Sequence, residues 1–369
     1  MQWNWQQPDW PDFTWDAARL AAAEQQFLLR SGVFIGTVRH LNAEDKEQIT
    51  VDFLSSDALT TSEIEGEILD RASVQSSIRR QLGLPTDKRR IPAAEQGISE
   101  VMVHLYRNFA NPLTKQILFD WHKMLMNGRR DIQDIGRWRT QDDAMQIVSG
   151  TFDVPKIHFE APPAKAMPKE MSAFIDWFNR TAPHGTAPLP ALTRAGVAHL
   201  YFESIHPFED GNGRIGRAIS EKAITQNLDH SLLITLAPAI LKKRKSYYQA
   251  LEDASKRNEI TNWLIWFAET AIEAQDSTIA WIEFLISKTK LFDAMRDQMN
   301  PRQEKALLRM FHEGPDGFKG GLSASNYMTV TGATSATTTR DLADLVDKGV
   351  LARIGERRHA RYHIRHIQS

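Results

Sequence analysis

Residues 206 to 217 read His-Pro-Phe-Glu-Asp-Gly-Asn-Gly-Arg-Ile-Gly-Arg, which gathers a base, two carboxylates, three glycines and two arginines into one loop and the helix that follows. Pro207 disfavours the α conformation at His206, so the histidine is expected where the helical pattern of 191–205 ends, its imidazole turned toward the loop. Gly211, Asn212 and Gly213 allow positive φ and inward-facing N–H groups, and a helix starting near Arg214 adds its positive end, so the segment suits phosphate. Arg214 and Arg217, three apart, can hold phosphate oxygens in a forked geometry. Asp210 would compete with that phosphate unless a cation lay between them. A hard ion such as Mg²⁺, which takes one or two carboxylates plus phosphate oxygens, resolves the conflict and makes Asp210 the candidate metal ligand. His206, with an ordinary pKa of about 6.5, suits a general base that takes a proton from an attacking hydroxyl. A Gly-Asn-Gly turn alone is usually only a turn, and a lone histidine before proline is usually structural; their conjunction with Asp210 and both arginines reverses that weighting.

This string resembles the Fic signature, His-Pro-Phe-x-Asp/Glu-Gly-Asn-Gly-Arg-x-x-Arg, at every fixed position. The resemblance implies a helical core, ATP as substrate with Mg²⁺, and transfer of AMP to a Tyr, Thr or Ser hydroxyl of a protein with pyrophosphate leaving. By the same carry-over His206 is the base, Asp210 holds the metal, and Gly211, Asn212, Gly213, Arg214, Ile215, Gly216 and Arg217 bind the phosphates. Phe208 is similar to the family's core-anchoring aromatic. AMP is the favoured group, with UMP and GMP left open.

Two other segments share the likeness. The stretch 145–159, with β-branched residues around Ser149-Gly150 and Val154-Pro155, reads as a hairpin and resembles the Fic flap, which pairs with an extended target segment. A plain surface hairpin is the alternative. Tyr247 to Leu251 resembles the segment bordering the adenine pocket, with Tyr248 as the base contact; packing between helices is the equal alternative. Ser255 stands where relatives carry an asparagine, which leaves nucleotide preference open.

Thr61-Ser62-Glu63-Ile64-Glu65-Gly66 is similar to the Fic inhibitory pattern Ser/Thr-x-x-x-Glu-Gly/Asn, carried in such proteins on an N-terminal helix. A glutamate beside Arg217 would take the positive partner that the γ-phosphate needs. Glu63, Glu65 and Glu67 share one run, and Thr61 and Gly66 frame Glu65. A role for Glu65 in positioning water for AMP removal stays open, and so does the bland reading of acids near a helix start as dipole complements.

The elements that must position these groups read as mainly α: a Fic-type helical core with a small β-hairpin flap, plus a C-terminal winged helix-turn-helix domain. Apolar residues recur at three and four through most of 15–300, as in Ile117, Leu118, Trp121 and Leu125. A long helical pattern over 260–299 meets Pro301, which places boundaries at 1–90 (a helical region carrying the inhibitory motif), 91–299 (the catalytic core) and 300–369 (the winged helix). Within the last, a helix over 337–348 precedes alternating residues over 350–364, and 353–369 holds five arginines and three histidines against Glu356. That leaves DNA contact through 323–365, dimerisation and protein docking open. Trp3, Trp5, Trp10 and Trp15 suit core packing or a dimer contact.

At 369 residues, with 42% hydrophobic and 25% charged residues, the chain reads as folded in two or three units. Lys and Arg number 45 against 46 for Asp and Glu, so nothing in the global charge of −1 draws it to nucleic acid or lipid. With no cysteine it has no thiolate chemistry. No secretion signal or membrane-length apolar run is evident, and the expected location is the cytoplasm. A rival class is a DNA-binding regulator whose core senses nucleotide without turning it over.

Overall fold

The computed structural model describes residues 2–39, 41–151, 154–230, 234–312, 318 and 320–365. They are mainly helical and divide into two compact units, 1–276 and 277–369, the division falling within one long helix.

The first unit runs α1 (Ala17–Arg39), α2 (Ala43–Ile64), α3 (Arg71–Leu82), α4 (Ala93–Asn108), α5 (Lys115–Leu125), strands β1 (Gln146–Thr151) and β2 (Val154–Glu160), then α6 (Met167–Arg180), α7 (Ala191–Ile205), α8 (Asn212–Leu228), α9 (Leu236–Lys242), α10 (Arg244–Ala254) and the start of α11 (Thr261–Ala294). Several boundaries follow from capping chemistry: the side chains of Asn42, Asp70 and Thr114 accept N–H groups at the starts of α2, α3 and α5. At the centre α7 packs along α8, and α7 is buried on every side except at Glu203. Phe202, Ile205 and Leu200 share a core there with Phe174, Ile215 and Ile219, and the buried Arg194 and His199 of the same helix are hydrogen-bonded.

The hairpin lies where the β-branched residues suggested. β1 and β2 pair antiparallel from Gln146↔Glu160 to Thr151↔Val154, with a bulge between Ile147 and Val148. The N-terminal tryptophans pack within the chain: Trp3 meets Phe159 edge-on at 5.4 Å, and Trp5 Nε1 donates to Glu160 O at 2.6 Å. Trp10 packs edge-on against Tyr201 of α7 at 5.2 Å. Asn4 Nδ2 donates to Ser204 Oγ at 2.8 Å, which ties the N-terminus to the end of α7.

Helix α2 is held against α8 at two levels. Arg217 of α8 meets Thr61, and one turn away on each helix the carboxyls of Asp57 and Glu221 face each other as a hydrogen-bonded pair. Ala237 N donates to Asp57 Oδ1 and Leu236 N to Glu221 Oε1, both at 3.2 Å. Burial raises the Asp57 carboxyl to about 6, and burial with the charge of Asp57 raises Glu221 well above its ordinary value. An acid raised in the folded state binds its proton more tightly there than in the unfolded chain, so its stabilisation is present at low pH and fades as pH rises through the folded value. Glu221→Gln keeps an acceptor for Leu236 and donates to Asp57 at any pH. Compared with the parent, it should therefore gain on the order of 1–3 kcal/mol in stability as pH goes from about 5 to about 8. Parallel thermal melts of parent and variant across that range, showing no divergence, would exclude the shared proton.

In the second unit Pro301 stands at the first position of α12 (Pro301–His312), where its missing N–H costs nothing. Ser323 caps α13 (Ala324–Thr331), left-handed Gly332 ends it, and Thr334 caps α14 (Ser335–Asp347), two residues earlier than the periodicity suggested. β3 (Leu351–Ile354) then pairs antiparallel with β4 (Arg361–Ile364). Leu307, Tyr327, Leu342, Leu345 and Leu351 form its core, and Asp341 accepts from Tyr327 Oη and Arg302 Nε, both at 2.9 Å. Among the described residues no helix is long and apolar enough to cross a membrane.

Candidate active site

The site is the 206–211 loop between α7 and α8 with the first turns of α8. His206 caps α7 in the left-handed region (φ 51°, ψ 60°), where Pro207 keeps it out of the right-handed helix. For a residue with a Cβ this conformation is uncommon and needs support. Arg139 supplies it: Arg139 Nε donates to His206 O at 2.9 Å, its N–H to Pro207 O at 2.9 Å, and Nη2 to Pro162 O. This arginine is 2% exposed, and burial alone lowers it to about 10.

The far side of the loop rests on α5. His122 stacks on Phe208 at 4.2 Å between ring centres, accepts Gly136 N–H at Nδ1 (2.9 Å), and presents Nε2 to Asp210 O at 3.2 Å. Burial lowers this imidazole to about 4, so it is neutral, and the Gly136 donor fixes the proton on Nε2. Phe208 is fully buried. Glu209 accepts Gln133 N and Asp134 N, and Asn212 clasps Phe208 through Oδ1 and Nδ2 at 2.9 and 2.8 Å.

The residues expected to hold phosphates divide by what the fold leaves free. Gly211 has φ 80° and caps α8, whose first N–H groups lack helical partners, while its own N–H donates to Asp210 Oδ1 at 2.5 Å. Gly213 is not left-handed; it is glycine because a Cβ there would strike the Glu65 carboxylate. Arg214 and Arg217 follow in the first turns of α8, both buried. Asn212 has its side chain committed to Phe208, and Ile215 lies in the core with its N–H bonded to Gly211 O at 3.1 Å. Gly216 abuts the Glu203 carboxyl. Asp210, its side chain 40% exposed, takes Arg129 Nη1 on Oδ2 at 2.9 Å, with Arg214 Nη2 3.8 Å from Oδ1.

The segment 61–67 packs against these first turns of α8. Arg217 Nη2 donates to Glu65 Oε1 at 2.6 Å and to Thr61 O at 2.9 Å, and Nε to Thr61 Oγ1 at 2.7 Å. Glu67 pairs with the other arginine, Arg214 Nη1 to Glu67 Oε2, at 2.7 Å. Gly66 is left-handed (φ 87°) just after α2, and Glu67 N–H returns to Ser62 O at 3.0 Å, so the chain turns there and both carboxylates fall on α8. Glu65 therefore stands at the C-terminal end of α2, where the helix dipole disfavours an anion; dipole complementation does not explain its place.

His206 keeps its ring 14% exposed, with Nδ1 buried beside Glu203. Burial and then Arg139 lower it to about 4, against opposing pulls from Glu65, the backbone carbonyl of Glu203, which is a competing acceptor for a ring N–H, and Asp210. It is neutral at physiological pH and its lone pair is free to accept. Tyr248 is 41% exposed and donates Oη to Ile64 O at 3.2 Å, so it borders the turn that follows α2. Its neighbour Tyr247 is buried, with Oη 2.8 Å from His199 Nε2.

The Fic/DOC family matches residues 112–223, and a domain of unknown function (DUF4172) matches residues 3–84. A curated relative named as a probable protein adenylyltransferase, from Aquifex aeolicus, is 26% identical over 98 residues, 27% of each chain. The chain thus spans about a quarter of that relative's length. Among solved structures, a Fic family protein from Desulfovibrio desulfuricans superposes with a TM-score of 0.52 at 20% identity, over 94% of this chain and 97% of that one. A Fic domain containing signaling protein from Bacteroides thetaiotaomicron gives 0.51 at 17%, over 70% and 96%. These two likenesses carry the fold. With the signature loop, the family match and the shared fold together, the chain carries a Fic/DOC domain over residues 112–223.

Proposed function

We propose that this chain is a protein adenylyltransferase that moves AMP from ATP to a Tyr, Thr or Ser hydroxyl of a target protein or of itself, and that Glu65 holds it inhibited. The observation that carries this is a carboxylate seated on Arg217 and against Gly213, at the helix start beside a neutral histidine. An anion already occupies a place built for one, within the reach of a base.

The chain's own groups divide the work. His206 takes the hydroxyl proton as the oxygen attacks the α-phosphorus, and pyrophosphate leaves along the N–H groups of α8 and the two arginines. Asp210, half exposed and a single carboxylate, fits the donor set of Mg²⁺, which keeps several waters and shares substrate phosphate oxygens. Bound there, the ion would neutralise charge on the phosphates and the leaving group. Asp210 must then release Arg129. The two-stranded flap exposes Ile147, Val148 and Ile157, and its unpaired edge suits strand addition by an extended target segment. On this reading Tyr248, 41% exposed, contacts the base, and a second activity of the same site, AMP removal with Glu65 holding water, is the alternative.

The test uses Glu65→Gly protein, with Mg²⁺ and a cell extract as acceptor, and ATP labelled on either the α- or the γ-phosphate. Label transferred from the α position alone supports nucleotidyl transfer; label from the γ position alone refutes it. UTP and GTP in the same assay define the donor.

The second unit supports a further reading. Its order of three helices and a hairpin suits a winged helix-turn-helix, and Arg353, Arg357 and Arg365 are exposed on or beside the hairpin. Salt-dependent DNA retention without label from any variant would favour the nucleotide-sensing regulator instead.

A further inference from the structure

Helix α7 is buried along its length but for one position, and that position carries a carboxyl. Glu203 lies one turn before His206, its side chain 12% exposed, with Oε2 3.7 Å from His206 Nδ1. Among the described residues neither His206 Nδ1 nor Glu203 Oε1 completes a hydrogen bond, although both are buried. Buried polar atoms are nearly always paired, so an unpaired Nδ1 lying 3.7 Å from Oε2 of a carboxyl whose other oxygen, on the Gly216 side, is also unpaired points to an interaction completed in another state of the site. The placement is accommodated from the motif side as well. A Cβ at Gly216 would clash with Glu203 Oε1, so this glycine of the signature leaves the room that the carboxyl fills.

A histidine that takes a proton at Nε2 must carry its own hydrogen on Nδ1, and that hydrogen needs an acceptor. We propose that Glu203 is a positioning residue for His206, its carboxylate receiving Nδ1–H so that the Nε2 lone pair faces the acceptor hydroxyl. This rests on the adenylyltransferase reading. In the step, the hydroxyl proton passes to Nε2 while its oxygen bonds to the α-phosphorus, and the bond from that phosphorus to the bridging oxygen breaks with its electron pair leaving on pyrophosphate. The imidazolium so formed has Glu203 beneath it; Glu203 takes no proton.

The groups facing Glu203 decide when it is charged: Glu65 from α2, Arg217 from α8 and Tyr247 from α10, while Arg139 and Asp210 act on His206. Burial, then the charge of Glu65, push Glu203 up to about 8, and Arg217 pulls it down. With the inhibitor seated the acid is neutral at physiological pH. Withdrawal of Glu65 removes a repulsion, so Glu203 ionises at lower pH in the released enzyme. The inhibitory glutamate thus acts on the base as well as on the phosphate site.

The test compares Glu203, Glu203→Gln and Glu203→Asp in the Glu65→Gly background, following kcat and the KM for ATP against pH. Glu203→Gln, which keeps size and cannot ionise, should lose on the order of 10- to 100-fold in kcat with KM within about threefold. The rise of kcat with pH that tracks ionisation of Glu203 should vanish in Gln and return in Asp. A Gln variant with parental kcat, or one slowed with an unchanged pH profile, overturns the proposal. Independently, ¹⁵N shifts of the His206 ring are read without nucleotide, above the ionisation of Glu203. They should report the Nδ1–H tautomer in Glu65→Gly and its loss in Glu65→Gly/Glu203→Leu; the same tautomer in both overturns it. This second measurement needs no transfer, so a Glu65→Gly protein that transfers no AMP refutes the activity while the tautomer still decides on Glu203.

Discussion

Replacing His206 by alanine in the Glu65→Gly background should cut AMP transfer by roughly 10²- to 10⁴-fold, the span general bases ordinarily contribute. The loss should fall on kcat. The N–H groups of α8, Arg214 and Arg217 do not touch the imidazole, so ATP should bind the variant as before, and a kcat loss at constant KM is the signature of an interaction made in the transition state. The backbone of the loop should also persist, because Arg139 holds residue 206 through its carbonyl and not through its ring. The left-handed conformation, however, is uncommon for any residue with a Cβ, alanine included, and rests on Arg139. Thermal melts therefore belong beside the kinetics: unchanged melting with lost transfer assigns the effect to the base. Transfer within about threefold of the His206 protein would remove His206 from the chemistry and leave hydroxide or another side chain as the acceptor of the proton.

What the sequence made legible follows contact range. Signals confined to one stretch, such as Pro207 ending α7, Pro301 opening α12 and the β-branched hairpin, were read at or near their observed places, because capping and turn preferences act over a few residues. The loop glycines were half legible. Gly211 is left-handed as such a turn needs, but Gly213 and Gly216 are glycine for lack of space beside Glu65 and Glu203, which only the packed site reveals. His122 and Arg139 were missed because they meet the loop across 88 and 67 residues, in segments that read as ordinary helix and linker. Glu203 was hidden in a helical pattern where a lone acid looks like a surface residue. For the acidic run 63–67, spacing alone made Glu63, Glu65 and Glu67 alternatives; the turn at Gly66 then set two of them on two different arginines.

That double pairing makes the Glu65 prediction quantitative. Arg217 is 2% exposed and Glu65 31%, and a hydrogen bond between charged groups at such a site is worth about 1.5–3 kcal/mol, or roughly 10- to 150-fold at about 1.4 kcal/mol per tenfold. Glu65→Gly should raise label transfer from α-labelled ATP by that factor, since ATP no longer has to displace the carboxylate from Arg217 and Gly213. Glu65→Gln keeps the bulk and removes the charge, and should fall between parent and glycine variant. Glu67 is 37% exposed, so its pair with Arg214 is screened by water, and Glu67→Ala should change transfer by no more than about fivefold. The ranking is the decisive part. A large gain from Glu67→Ala with none from Glu65→Gly would move the inhibitory register two residues along and assign the γ-phosphate site to Arg214. Equal, additive gains would mean that each carboxylate holds its own arginine independently. A gain from Glu65→Gly that Glu67→Ala barely extends fits a single buried pair as the lock, with the exposed one only steadying the turn that delivers it.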